Sequence, residues 1–141
     1  MDEHDQALLS LLRENARAPT AALARALGVS RTTVQSRIAR LERQKVITGY
    51  TVRTSDAHET GTIRALVMIT AAPKQSAALE SAIRRMPAVR ALHSVSGPSD
   101  LIAEAATPTI GQMDDLIDSI GMLEGVERTT SSVILSTRID R

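Results

Sequence analysis

The sequence predicts an α+β chain in two parts: three short helices closed by a wing over residues 1–53, then a β-α-β-β-α-β unit with an antiparallel sheet over residues 63–141. Residues 54–62 read as a polar linker between them. Three observations carry the prediction. The first part sets its apolar residues at helical spacing and stops its second helix on a glycine. The second part alternates strand-like and helical runs in an order that echoes itself. Charge is split between the two, with nine Lys/Arg against five Asp/Glu in residues 1–54 and eight against eleven in residues 55–141.

Asp2 to Asn15 reads as the first helix, with Leu8, Leu9, Leu11 and Leu12 forming a wide apolar face. Asp2 and Asp5 sit where a carboxylate complements a helix N-terminus. Ala16 to Pro19 breaks the pattern. The second helix starts at Thr20, with Leu23 and Leu27 on one side and Ala24 small enough to allow close approach. Gly28 supplies the left-handed residue that ends it without a Cβ penalty. Val29 fills the corner, and Ser30 caps the next helix by offering its hydroxyl to an orphan N–H. Ser30 to Lys45, SRTTVQSRIARLERQK, aligns Val34, Ile38 and Leu41 on one stripe. Two helices joined through a glycine turn in this way make a helix-turn-helix, with the first helix as its floor. Val46 to Val52 is β-prone and carries a turn glycine, which predicts a short wing or strand.

In the second part, Ile63 to Thr70 is a strand of β-branched, Leu and Met residues. Ser76 to Met86 is helical, with Leu79, Ile83 and Met86 on one face. Arg90 to Val95 and Leu101 to Ala106 are strands separated by the turn Gly97–Pro98–Ser99–Asp100. Pro108 opens a second helix with Ile110, Met113, Leu116, Ile117 and Ile120 on its inner side, and Glu127 to Ile139 is the last strand. This order is the split ferredoxin-like arrangement, with both helices on one face of the sheet. The other face then needs a cover, and a second copy of the chain is the simplest one.

Composition narrows the classes. The chain has 141 residues, 43% of them hydrophobic, and one aromatic, Tyr50, so aliphatic side chains must fill the core. Cysteine is absent, which removes disulfides and thiolate metal sites. His4, His58 and His93 are scattered, and no metal or cofactor is expected. Asp114, Asp115 and Asp118 read as a solvated helix face. MDEHDQ lacks the basic and apolar regions of a signal peptide. The longest apolar run, Ala65 to Ile69, is far too short to span a bilayer, so no membrane partner and a cytoplasmic location are expected.

The outer side of the third helix collects hydrogen-bonding groups suited to a DNA major groove. The candidate DNA-binding set is Ser30, Arg31, Thr32, Thr33, Gln35, Ser36, Arg37, Arg40 and Arg43. Arg31, Thr32, Gln35 and Ser36 are the expected groove readers, since Arg and Gln make bidentate contacts to base edges. Arg37, Arg40 and Arg43 are expected to hold phosphates. The competing reading makes these arginines solubilising charge paired with Glu42 or Glu14, with Arg37, nearest the buried stripe, as a structural residue.

With this helix-turn-helix ahead of a β-α-β-β-α-β unit, the chain resembles the Lrp/AsnC family of transcription regulators. The resemblance runs end to end. On the first part it rests on Asp2, Asp5, Leu8–Leu9, Leu12, Arg17, Leu23–Ala24, Gly28–Val29–Ser30, Val34, Arg37–Ile38, Arg40–Leu41–Glu42 and Val46–Ile47. On the second it rests on Pro87, Val89, the Gly97 to Asp100 turn, Gly125–Val126 and the Thr129-to-Leu135 strand. The chain departs from the family in having Lys45 where a glycine is usual, and Ser99 where an aromatic is common.

The resemblance implies a winged helix-turn-helix and a ferredoxin-like (RAM-type) domain that binds a small effector, typically an amino acid, between subunits. It implies double-stranded DNA as partner and a homodimer assembling to larger oligomers such as octamers. The effector candidates are Gly97, Pro98, Ser99, Asp100 and Ser131. Asp100 can receive an ammonium, while the N–H groups of Gly97, Ser99 and Asp100 can cradle a carboxylate. Pro98 removes one donor from that cradle. The same four residues also favour a plain tight turn. Two rival functions stand beside regulation. Siroheme decarboxylases resemble the same architecture, but the helix here keeps its full polar set and His93 lacks convergent partners. RNA binding on a ferredoxin-like sheet stacks bases on aromatics, and the second part has none.

Overall fold

The computed structural model describes residues 1–55, 58 and 61–141, which divide into two compact units, Met1–Arg53 and Thr54–Arg141. The expected linker, 54–62, includes residues 56, 57, 59 and 60, which lie outside the described ones.

The first unit holds α1 (Glu3–Glu14), α2 (Thr20–Leu27) and α3 (Arg31–Arg43). Leu8, Leu23, Ala24, Val34 and Leu41 form its buried centre, with Leu12, Leu27, Ile38 and Ile47 packed around them. Each helix contributes the stripe its apolar spacing dictates. Asp2 caps α1 by accepting from the Asp5 N–H at 2.9 Å, and Asp5 answers by accepting from the Asp2 N–H at 3.4 Å. This is a capping box built from two aspartates.

α2 and α3 end alike. Past α2, the Val29 N–H reaches back to the Ala24 carbonyl at 3.1 Å, and Gly28 takes φ 67° to allow it. Past α3, the Val46 N–H reaches the Leu41 carbonyl at 2.9 Å and the Lys45 N–H the Glu42 carbonyl at 3.1 Å. There the left-handed position falls on Lys45, at φ 59°, among the described residues the one non-glycine at positive φ. The expected wing does not form as a strand: no residue from Val46 to Ser55 is in strand conformation. The N–H groups of Val46 and Ile47, which a strand would have offered to a neighbour, both donate to Leu41 instead.

The second unit comprises β1 (Ile63–Ala71), a 3₁₀ turn (Pro73–Gln75), α4 (Ser76–Arg84), β2 (Val89–Ser94), β3 (Leu101–Thr107), α5 (Ile110–Gly121) and β4 (Val126–Val133). The strands form one antiparallel sheet in the order β2-β3-β1-β4. Ala65, Val67, Ile69 and Ala71 on β1 and Leu101, Ala103 and Ala105 on β3 face the helices. Leu79 and Ile83 of α4 and Met113 and Ile120 of α5 complete that core. The alternate residues Leu66, Met68, Ile102 and Ala106 are half-buried on the opposite face.

Two elements are shorter than the sequence suggests. α4 stops at Arg84 rather than Met86, because the position before Pro87 is biased away from helix. β4 stops at Val133 rather than Ile139, because its neighbour β1 begins at Ile63. The Ile134 N–H makes the last backbone reach among the described residues, to the Arg64 carbonyl at 2.8 Å.

Candidate nucleic-acid interface

Val34 and Leu41 anchor α3 in the core, and Ile38 lies between them half-buried. The opposite side is therefore turned outward. Arg31, Thr32, Gln35, Ser36 and Arg43 are exposed, and their side chains make no hydrogen bond among the described residues. Of the candidate set, these five lie together on the outer surface. Ser30 and Thr33 are used locally: the Ser30 hydroxyl accepts from the Thr33 N–H at 3.1 Å and lies 2.8 Å from the Thr33 hydroxyl. They set the helix start, which aims Arg31 and Thr32.

Arg37 and Arg40 stand apart. Nη1 of Arg37 donates to both Asp2 carboxylate oxygens, at 2.9 and 2.8 Å, and to Asp5 Oδ1 at 3.0 Å. Nη2 of Arg40 donates to Asp5 at 3.0 and 2.7 Å. The side chain of Arg37 is 18% exposed and that of Asp5 2%, while Arg40 and Asp2 reach solvent at 42% and 54%. The Nε of Arg37 is buried without a hydrogen-bond partner among the described residues. Two carboxylates and two guanidiniums thus tie the start of α1 to the middle of α3. The arginines pair with these aspartates, and no ion pair to Glu42 or Glu14 occurs among the described residues.

The cluster shifts its own titration. The hydrogen bond from Arg37, then the Asp5 N–H, lowers the Asp2 carboxyl to about 2. Burial alone would push Asp5 up, but the Arg37 hydrogen bond, the Asp2 N–H and the charge of Arg40 outweigh it and hold Asp5 below its ordinary value. Hydrogen bonds to Asp2 and then Asp5 raise Arg37. Asp2 and Asp5 are the residues that sequence reasoning left out of this site. Their partners lie 32 to 35 positions away, beyond any local pattern. The available signal was the Asp2-x-x-Asp5 box set against two arginines three apart.

In the second unit the turn before β3 is built into the sheet. The Asp100 N–H donates to the Ile69 carbonyl at 2.9 Å, its carbonyl accepts from Val95 at 3.0 Å, and its carboxylate accepts from the Ala71 N–H at 2.9 Å. Gly97 takes φ 115°, which a side chain rarely tolerates. Ser99 is half-buried and Pro98 exposed. Ser131 does not join the turn within the chain. It pairs with Val67 on β4, across β1 from β3, whereas Thr129 is level with Ile69 and Leu101. His93 Nε2 lies 2.8 Å from Glu104 Oε2 on the open sheet face. Among the described residues no group of His, Asp and Glu is arranged to hold a metal ion, and no helix is long and apolar enough to cross a membrane.

A helix-turn-helix with an exposed Arg, Gln, Thr and Ser surface, carried in one chain with a βαββαβ unit, defines a DNA-binding transcription regulator. The model for the AsnC-type helix-turn-helix domain matches residues 1–42, and that for the Lrp/AsnC ligand binding domain matches residues 64–141. The chain belongs to the Lrp/AsnC family.

The HTH-type transcriptional regulator LysM of Saccharolobus solfataricus is 31% identical over 138 residues, covering 97% of this chain and 95% of its own. The HTH-type transcriptional regulator LrpA of Pyrococcus horikoshii is 27% identical over 136 residues, with 96% of each chain covered. Among solved structures, the feast or famine regulatory protein of M. tuberculosis complexed with L-methionine superposes with a TM-score of 0.87 at 29% identity, covering 99% of this chain and 95% of that one. These relatives are named as regulators, which sets the decarboxylase reading aside.

Proposed function

We propose that the protein reads a specific duplex sequence with Arg31, Thr32, Gln35 and Ser36 of α3, and that a small effector, an amino acid, tunes this binding or the oligomeric state. The observation that carries the proposal is the outer face of α3, where four hydrogen-bonding side chains are exposed and uncommitted among the described residues. Arg43 shares that surface and supplies a phosphate contact, with Arg37 and Arg40 held to one side by Asp2 and Asp5. A cytoplasmic location is consistent with this activity.

A homodimer, assembling further to octamers, presents two such helices to half-sites one helical turn or a multiple apart. The open sheet face supports the dimer: Leu66, Met68, Ile102 and Ala106 are half-buried apolar residues around the His93–Glu104 pair that a second copy can cover. The effector site is placed at the Gly97–Pro98–Ser99–Asp100 turn, with Ser131 contributed across a subunit contact, since one chain does not bring them together. The methionine complex of the mycobacterial relative supports an amino acid as the ligand class.

Replacing both Arg31 and Gln35 with Ala tests the readers. Each bidentate contact discriminates by roughly 1–3 kcal/mol, so the double variant is expected to lose sequence preference while keeping its size in solution. A footprint identical to wild type would reject these readers. A thermal-shift screen of the amino acids, with size measured for each hit, tests the effector. No shift with any of them would reject that class.

A further inference from the structure

Of the four arginines on α3, two are exposed and two are engaged by carboxylates from the start of α1. We propose that Asp2 and Asp5 act as a brake on sequence-independent DNA binding, withholding Arg37 and Arg40 from the phosphates that flank the reading helix. The inference rests on the reading that the outer face of α3 enters the groove.

The geometry supplies both halves of the argument. Arg40 lies four residues from Ser36 and three from Arg43, so it borders the reading surface, and its side chain is 42% exposed. With α3 in the groove it would flank the DNA backbone, yet its Nη2 is held at 2.7 Å by Asp5. Arg37 is held more tightly, with three hydrogen bonds from one nitrogen to two carboxylates. Two guanidiniums against two carboxylates leave this patch with no net charge, directly beside a surface built to meet a polyanion. Phosphate contacts strengthen binding to any sequence. Withholding two of them keeps sequence-independent binding weak and leaves the base readers untouched. A merely structural tie, by contrast, would leave that binding unchanged when loosened.

The test uses the full chain and a random-sequence duplex, with binding measured by fluorescence anisotropy across 50–200 mM salt. Asp2→Asn is the first variant, because Asp2 is half-exposed and Asn also caps helices well. Each arginine delivered to a phosphate steepens the slope of log K against log salt by about 0.9, an added loss of about 3.5-fold over that salt range. Asp2→Asn is expected to steepen the slope by up to one such step. Asp5→Asn, which frees Arg40 while Asp2 still holds Arg37, is expected to steepen it by up to one step as well. Thermal melts on each variant confirm that the fold is kept at the assay temperature.

Removing Asp2 also removes a negative charge that repels DNA, so the Asp2→Asn measurement is repeated with Arg37→Gln, Arg37 being the arginine that Asp2 holds. A gain that vanishes in that background supports the brake. A gain that persists there, or no gain from Asp2→Asn at all, overturns it. Arg43→Gln separates the two readings. A flatter slope in that variant with no effect of Asp2→Asn rejects the brake alone, and a slope unmoved by Arg43→Gln rejects the groove-facing helix on which the brake rests.

Discussion

The outer face of α3 and the turn from Gly97 to Asp100 are both polar, both exposed in part, and both candidates for contact with something outside the chain. They differ in what their polar atoms already do. Arg31, Thr32, Gln35 and Ser36 make no side-chain hydrogen bond among the described residues, and the helix is anchored by other residues on its far side. Asp100 has its N–H, its carbonyl and one carboxylate oxygen bonded to the ends of two strands, β1 and β2. A surface whose polar groups are spare is organised for a partner. A surface whose groups are spent on the fold can serve a partner only as a second duty, and substitutions there will mix stability with binding.

That contrast has measurable consequences. The largest effect on stability is expected from Asp100→Ala. It strands the N–H of Ala71, a residue 9% exposed, and an unsatisfied buried donor costs roughly 1–3 kcal/mol. Thermal or urea unfolding should show the loss with no effector present. Changing Arg31 or Gln35 to Ala should leave unfolding within about 0.5 kcal/mol of wild type, since neither side chain supports the fold. If Asp100→Ala melts like wild type, the turn is as free as the helix face and the distinction fails.

The next effect concerns acid. Asp2 titrates near 2 in the folded chain, and Asp5 is also held below its ordinary value. Between the ordinary carboxylate value of 3.8 and these lowered ones, the unfolded chain binds more protons than the folded one. Stability from this cluster is therefore complete above about pH 5 and falls as pH drops through 4 towards 2. The first unit is expected to melt at a lower temperature at pH 3 than at pH 5, and Arg37→Gln should shrink that difference. An acid dependence unchanged by Arg37→Gln would show that the cluster does not tie α1 to α3 in solution.

Local patterns in the sequence reveal one set of features and conceal another. α1, α2 and α3 are legible because Leu8, Leu23, Val34 and Leu41 recur at helical spacing, and Gly28 and Ser30 punctuate them. β1 and β3 are legible because apolar residues dominate them, interrupted by Arg64 and Glu104, and the order of elements around Pro87 and Gly97 gives the topology. The ends of β4 and the lack of a strand in the wing are not legible, because a strand lasts only as long as its neighbour. Thr129 to Leu135 looks uniformly strand-like, yet pairing stops where β1 begins. Val46 and Ile47 are β-prone, but closing α3 uses their N–H groups first. The candidate site divides in the same way. Which residues face outward on α3 follows from the apolar stripe alone. That Arg37 and Arg40 belong to Asp2 and Asp5 depends on how α1 meets α3, which no spacing within either helix records.

The smallest effect expected compares the two helix ends, where the same backbone turn is made with different residues. Gly28 and Lys45 both adopt the left-handed region, at φ 67° and 59°. A side chain there costs roughly 1–2 kcal/mol relative to glycine in the folded state. Lys45→Gly removes that strain but loosens the unfolded chain, which takes back roughly 0.4–1 kcal/mol. The net expectation is a gain of about 0.5 kcal/mol, seen as a small rise in melting temperature. Gly28→Ala runs the exchange backwards. A Cβ at Gly28 meets nothing within 4 Å, so its loss should come from the backbone alone and be of similar size and opposite sign. Should Lys45→Gly lower the melting temperature instead, the lysine side chain must be making a stabilising contact that outweighs its strained backbone, and the two helix ends would not be equivalent turns.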